Sequence, residues 1–294
     1  MTKRKPAGPK SHHYVPQSYL RRFTDADGFL TIFDRARGHF RRQRPVNVMK
    51  IDSYYRQAWA PAHIDPNILE THLAGTIEHE GAAAIEKLVT TPASLTGDEA
   101  AALVSYIEFQ RIRVPRQAAW AKELMRQLLL DKIGPELRAE LKQKNLRVEM
   151  KDSVRFDYMR AALGKLHPWF GRMEWEIYEA VPGTAFITTD SPVSFVNEAI
   201  PPIDGEAGIG LAGTLLLFPL DSRKLLVMRH PECVSADPMH VLPTPAEDSA
   251  GVPMAFGVVF DAEKVRQTNW YLAHLSYELC VAESETPLRE ALGI

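Results

Sequence analysis

The sequence has little cysteine. Cys233 and Cys280, two residues among 294, build no disulfide framework and have no metal-ligand spacing, so they read as buried thiols in a reducing compartment. A long apolar run is also missing. The most apolar stretch, residues 208–220, falls far short of the roughly 20 residues of a membrane span and contains Pro219. Met1–Lys10 is basic without the apolar centre of a secretory signal. There is no Walker glycine loop and no zinc-finger cysteine pattern, which removes the usual sequence grounds for a P-loop nucleotide hydrolase or a zinc module. The expectation is a cytoplasmic protein without membrane contact.

What is present is an ordinary globular composition, 45% hydrophobic and 24% charged, with an uneven charge distribution. The first 50 residues carry twelve Lys and Arg against three Asp, a net +9, which leaves 23 basic against 34 acidic residues, or −11, for the rest. Such a split points either to an anionic partner, nucleic acid or nucleotide, or to complementarity within the fold.

The pattern along the chain reads as α+β. Residues 1–10 offer nothing to bury and read as a flexible basic tail, and residues 11–294 as a single domain. Phe29, Leu30, Ile32 and Phe33 lead through an Asp34–Gly38 turn to Phe40, Val46 and Val48, a hairpin whose second arm is rich in arginine. The middle, about residues 65–165, is helical. Leu69, Leu73, Ile77, Ala84 and Leu88 recur at helical steps, and a small stripe through Glu78, Gly81 and Ala82 invites a close helix neighbour. Thr96 and Glu99 form a capping box, and Pro115 interrupts the helix that follows. Trp120, Leu124 and Leu128 mark a further helical region over about 116–144. From about 169 to 260 the period changes to two, and short apolar runs separated by Pro182-Gly183 and Asp221-Ser222 predict an antiparallel sheet. A final helix spans about 261–282.

Four segments carry candidate chemistry. In Ser11-His12-His13-Tyr14-Val15-Pro16-Gln17, two imidazoles that titrate near neutrality offer an acid, a base or a metal ligand. On an extended segment they face opposite ways, so one of them reaches any given site. In Phe109–Pro115, Gln110 and Arg113 share a helical face, where a guanidinium fork suits a phosphate or a carboxylate. The plainer reading is a structural salt bridge from Arg113 to Glu78 or Asp190. In Ile187–Val193, Thr189 and Asp190 stand where a strand enters a turn, which serves capping as readily as catalysis. Asn269, on the inward side of the last helix, can orient a histidine or a substrate, or simply satisfy the core.

The order of HHYVPQSYLRRF, DGFLTIFDR, NVMKIDSYY, Ile77-Glu78, FQRIRVP, ITTDSPV, FPLD and TNW resembles a large, mainly bacterial family catalogued as a domain of unknown function, whose members open with an HHxVP-type motif. The resemblance covers Ser11 to about Ala282. It implies motif positions at His12, His13, Tyr14, Pro16, Gln17, Tyr55, Glu78, Gln110, Arg113, Thr189, Asp190, Pro192 and Asn269. Val114 stands where the family motif commonly has Thr, so no hydroxyl is available there. A set so polar, drawn from every element, suggests a convergent pocket. The leading expectation is a phosphodiesterase or nuclease. In it His12 or His13 is base or ligand to a divalent metal, Arg113 stabilises phosphate charge, and Glu78 and Asp190 hold the metal or orient the histidine. Tyr14, Gln17, Gln110, Thr189 and Asn269 would position substrate. The alternatives are a non-catalytic ligand-binding or sensing module, as in a bacterial defence system, and a buried structural network that imitates an active site.

Overall fold

The computed structural model describes residues 11–57, 75–91, 93–203, 205–230, 232, 239, 241–242 and 254–294. The basic tail, the start of the first expected helix and Cys233 lie outside the described residues. The chain begins with β1 (Ser11–His13), α1 (Gln17–Leu20), the hairpin strands β2 (Leu30–Asp34) and β3 (His39–Gln43), and β4 (Lys50–Asp52). Pro16, with its fixed φ and no N–H, ends β1 and caps α1. The hairpin turns at the expected place, where Asp34 Oδ1 accepts from the Arg37 amide and Gly38 adopts a φ of 65°. Its second arm is shorter than expected. Pro45 cannot donate to a ladder, and Pro45–Asn47 forms a 3-10 turn that takes Val46 out of the strand.

The middle is helical, with α2 (Gly75–Thr90), α3 (Gly97–Ile112), α4 (Pro115–Lys132), α5 (Pro135–Gln143), α6 (Ser153–Ala162) and α7 (His167–Phe170). Thr96 and Glu99 make the reciprocal capping box of α3. Pro115 opens α4 rather than kinking α3, since a proline at the first helical position loses no intrahelical bond. The region expected over about 116–144 is two helices, because Gly134-Pro135 ends one and starts the other.

Next come β5 (Glu174–Ala180), β6 (Thr188–Thr189), β7 (Ser194–Val196), β8 (Leu215–Pro219), β9 (Lys224–Arg229), β10 (Met254–Phe260), α8 (Ala262–Leu275), β11 (Leu279–Ala282) and α9 (Glu285–Leu292). The architecture is α+β. One sheet has the order β10-β5-β9-β8-β7 and is antiparallel except for the β10–β5 pair, which is parallel, a departure from the expected pattern. A second, antiparallel sheet has the order β3-β2-β11-β6. The helix expected over 261–282 is α8, which is shorter and not the last, since β11 and α9 follow it. Ser276 is extended, and the buried apolar run Leu279–Ala282 leaves α8 to pair between β2 and β6. The C-terminal strand thereby completes the sheet that the N-terminal hairpin begins.

Tyr19 fastens α1 to this frame. Its hydroxyl donates to the Pro219 carbonyl (2.8 Å) and lies 2.9 Å from Thr188 Oγ1, and its ring stacks on Phe218. The small stripe of α2 meets α3 at Gly81, where an added Cβ would lie 2.3 Å from the Tyr106 Cβ. That atom cannot rotate away, so Gly81→Ala forces the two helices apart despite alanine's higher helix propensity. The expected cost is about 2 kcal/mol or more in urea unfolding. Gly75→Ala, with no atom of the described residues within 4 Å of the new Cβ, should be neutral or slightly stabilising.

Candidate functional site

The two histidines part company because β1 is extended. His12 pairs across the ladder with Ile51 and is 1% exposed. Its Nδ1 accepts from the Tyr55 amide (2.9 Å), which leaves the proton of the neutral ring on Nε2, and the imidazole stacks on the Tyr55 ring. His13 pairs with Lys50, so the two side chains share the opposite face. Gln17 Nε2 lies 3.5 Å from His13 Nδ1, and His13 Nε2 has no hydrogen-bond partner among the described residues. The His13 pKa lies below the ordinary 6.5. Burial is the main cause, Lys50 adds to it, and the Val46 and Pro45 carbonyls and Glu78 oppose it.

Arg113, at the C-terminal end of α3, is 1% exposed. Its NH1 donates to Glu78 Oε1 (2.6 Å), and its Nε and NH2 donate to Gln110 Oε1 (3.1 and 2.6 Å). The Gln110 amide nitrogen donates onward to the Tyr14 carbonyl (3.0 Å). Burial works against the guanidinium charge, but Tyr55, Glu78 and Tyr106 outweigh it and hold the pKa above its usual value. Of the two partners considered for Arg113, Glu78 is the one it meets. The four residues form one chain from α2 through α3 to the residue after β1, and every arginine nitrogen is engaged.

Asp190 is 2% exposed and close enough to the Tyr14 hydroxyl to act on it electrostatically. Its Oδ1 accepts from the Tyr277 amide (2.9 Å), and its Oδ2 from the amides of Glu278 (2.7 Å) and Leu279 (3.0 Å). Burial lifts its carboxyl to about 6, and the three amides act in the opposite direction. Burial, with the charges of Asp190 and Glu278, also raises the Tyr14 hydroxyl above its usual range. Thr189 Oγ1 accepts from the Ser191 amide (3.1 Å). Asn269 bridges the Ile187 amide (3.0 Å) and the Ala185 carbonyl (2.8 Å), so both ends of its amide hold backbone.

The nominated residues therefore divide. Tyr14, Glu78, Gln110 and Arg113 are joined, Asp190 borders them through Tyr14, and His13 and Gln17 form a separate pair. His12, Thr189 and Asn269 are occupied with backbone and core. Among the described residues no three His, Cys, Asp or Glu side chains converge to hold a metal ion. No described helix is long and apolar enough to cross a membrane.

Gln17, the neighbour of His13, stands beside open space. Gln17 lines a recess of about 420 Å³ together with Arg21, Thr24, Arg44, Pro45 and Val46. The nearby carboxylates Asp25 and Asp27 are taken by Arg42 (2.6 and 2.9 Å). Arg21 and Arg44 are exposed and have no ion-pair partner among the described residues, and Arg44 lies over the Phe29 ring (4.6 Å). Neither arginine stood out in the sequence, although both fall within its basic first 50 residues. A roomier recess of about 850 Å³ against α6 touches none of the nominated residues.

The family model described as protein of unknown function (DUF4238) matches residues 11–286. The chain belongs to this family. No curated protein and no solved structure matches it. The segment in common runs from β1 into α9 and so includes both the Arg113 chain and the recess.

Replacing Asp190 with Asn sets an NH₂ group against amide donors at one end. Asp190→Asn should cost roughly 2–4 kcal/mol in chemical denaturation, as expected when buried donors lose a charged acceptor. A loss below 0.5 kcal/mol, about the size of a typical surface substitution, would show that the three amides do not depend on it.

Proposed function

We propose that the chain binds the phosphate groups of nucleic acid or nucleotides at the recess beside β1. The observation that carries this reading is the convergence of Arg21 and Arg44, two guanidinium groups without a carboxylate partner among the described residues, beside the Gln17–His13 pair. Guanidinium forks match phosphate oxygens, and exposed cations supply the sequence-independent part of nucleic-acid affinity. Lys50, across the ladder from His13, adds a third positive charge on that side. Arg113 and Asp190, by contrast, have their hydrogen-bonding capacity consumed inside the protein, which favours ligand binding over the catalytic set read from sequence.

A second reading, phosphodiester hydrolysis, has one observation in its favour. His13 has a depressed pKa and is neutral at pH 7, the state a general base requires. A divalent metal belongs to this reading only. Incubating labelled RNA and DNA with the protein, in EDTA and in Mn²⁺, separates the two readings. Cleavage lost in His13→Ala supports hydrolysis, and retention of the oligonucleotide without turnover supports binding.

For binding, Arg21→Glu combined with Arg44→Glu should weaken a single-stranded oligonucleotide by tenfold or more at low salt. The slope of log affinity against log salt should fall by ~0.7 per lost contact. An anion beside His13 raises its pKa on binding, so the complex holds more proton than the free protein. Affinity should therefore rise as pH falls from about 7.5 towards 5.5, and His13→Gln should flatten that rise. Unchanged affinity in the double variant overturns the reading.

A further inference from the structure

A second recess, on the far side of the α3–α4 junction, is built differently. It encloses about 640 Å³, within the range of small-ligand sites. Its lining includes three aromatic rings, Trp120 of α4, Tyr158 of α6 and Phe195 of β7, with Arg111, Arg116 and Lys165. It shares no lining residue with the recess beside His13.

Two properties of this lining point to a ligand. The first is positive charge on partly buried groups in excess of the carboxylate bonded to them. Arg111 and Arg116 share one carboxylate, Glu206 (2.7 and 3.2 Å), whose other oxygen accepts from the Phe195 amide (2.8 Å). The Glu206 side chain is 9% exposed and that of Arg111 10%, so the arrangement is built rather than a loose surface pair. One bonded carboxylate leaves a positive excess, which Asp190 reduces at Arg116 and the exposed Lys165 increases. The second is an open aromatic corner. Trp120 stands edge-on to Tyr158 at 5.6 Å and remains 52% exposed, an unusual outlay of apolar surface for a residue at a cavity wall. Gln117 holds the corner: with its nitrogen towards the Tyr158 hydroxyl (3.1 Å), its oxygen accepts from Arg111 (3.0 Å). On the other side, the Arg111 guanidinium lies over the Phe195 ring at 4.7 Å.

A π-face beside surplus guanidinium charge recognises a planar aromatic ring that carries an anionic group. We propose that this recess binds a nucleoside monophosphate, its base against Trp120 and its phosphate towards Arg116 and Lys165. A cavity of this size holds one such molecule and no polymer segment beyond it. The site is independent of the recess beside His13, and either stands if the other fails.

The test is a titration of the full chain with AMP, GMP, CMP and UMP, followed by tryptophan fluorescence and by calorimetry. Saturable quenching by at least one of them is expected. The matching nucleoside and ribose 5-phosphate, each lacking half of the recognised chemistry, should bind about tenfold more weakly or worse. Trp120→Ala should lower affinity by about tenfold, the scale of losing one base stack. Lys165→Glu should weaken the nucleotide but not the nucleoside. Both positions are exposed, so melting temperatures should stay near that of the parent. Arg44→Glu, in the other recess, should leave mononucleotide affinity unchanged. Absence of saturable binding by all four nucleotides overturns the proposal, as does binding that Trp120→Ala and Lys165→Glu both leave intact.

Discussion

A guanidinium removed from water has to be answered on all sides, and the N-terminal half of this fold is organised around that requirement at Arg113. Glu78 supplies the charge, Gln110 spans from the arginine to the Tyr14 carbonyl, and Phe109 lies under the guanidinium plane. Breaking such a group open costs several kcal/mol because it strands a buried charge. The chain therefore sets α2, α3 and the segment after β1 in one relative position. Gly81 serves the same end, since only a residue without a side chain lets α2 lie against Tyr106 closely enough for Glu78 to reach across.

Fixing Tyr14 fixes its neighbours. With β1 held between Met49 and Gln110, strand alternation sends His12 inward to Tyr55 and His13 outward to Gln17. Asp190, which acts electrostatically on Tyr14, gathers three amides where the chain passes from α8 into β11. Both polar centres are saturated by the protein itself. What remains open to a ligand is at the edges: arginines without an ion-pair partner among the described residues, beside Gln17, and an aromatic corner beside Arg111. The charge split of the sequence is resolved in the same way. Part of the positive segment is answered internally, as Arg42 is by Asp25 and Asp27, and part, at Arg21 and Arg44, meets no carboxylate among the described residues.

Local rules made much of the fold legible. The capping box of α3, the Asp34–Gly38 turn, the small stripe of α2 and the change of period after residue 169 all correspond to structure. The exceptions have a common cause. The parallel β10–β5 pair and the place of β11 between β2 and β6 are long-range pairings, which no local periodicity encodes. Leu279–Ala282 reads as a continuation of α8 because its apolar run fits either period, and pairing with the distant strands β2 and β6 decides it. The polar residues were visible as a set, but their division into saturated and open groups was not. Whether Arg113 faces Glu78 or solvent depends on helix packing, and the exposed Arg21 and Arg44 carry no sequence signal beyond their charge.

The recess that Gln17 lines is proposed to receive phosphate, while the Arg113 chain only frames it. Imidazole nitrogen shifts followed by NMR across a pH titration, with and without a saturating oligonucleotide, test it most directly. The His13 pKa should lie below 6.5 in the free protein and rise by roughly one unit when the anion binds. A His13 titration that is the same in both states would contradict it.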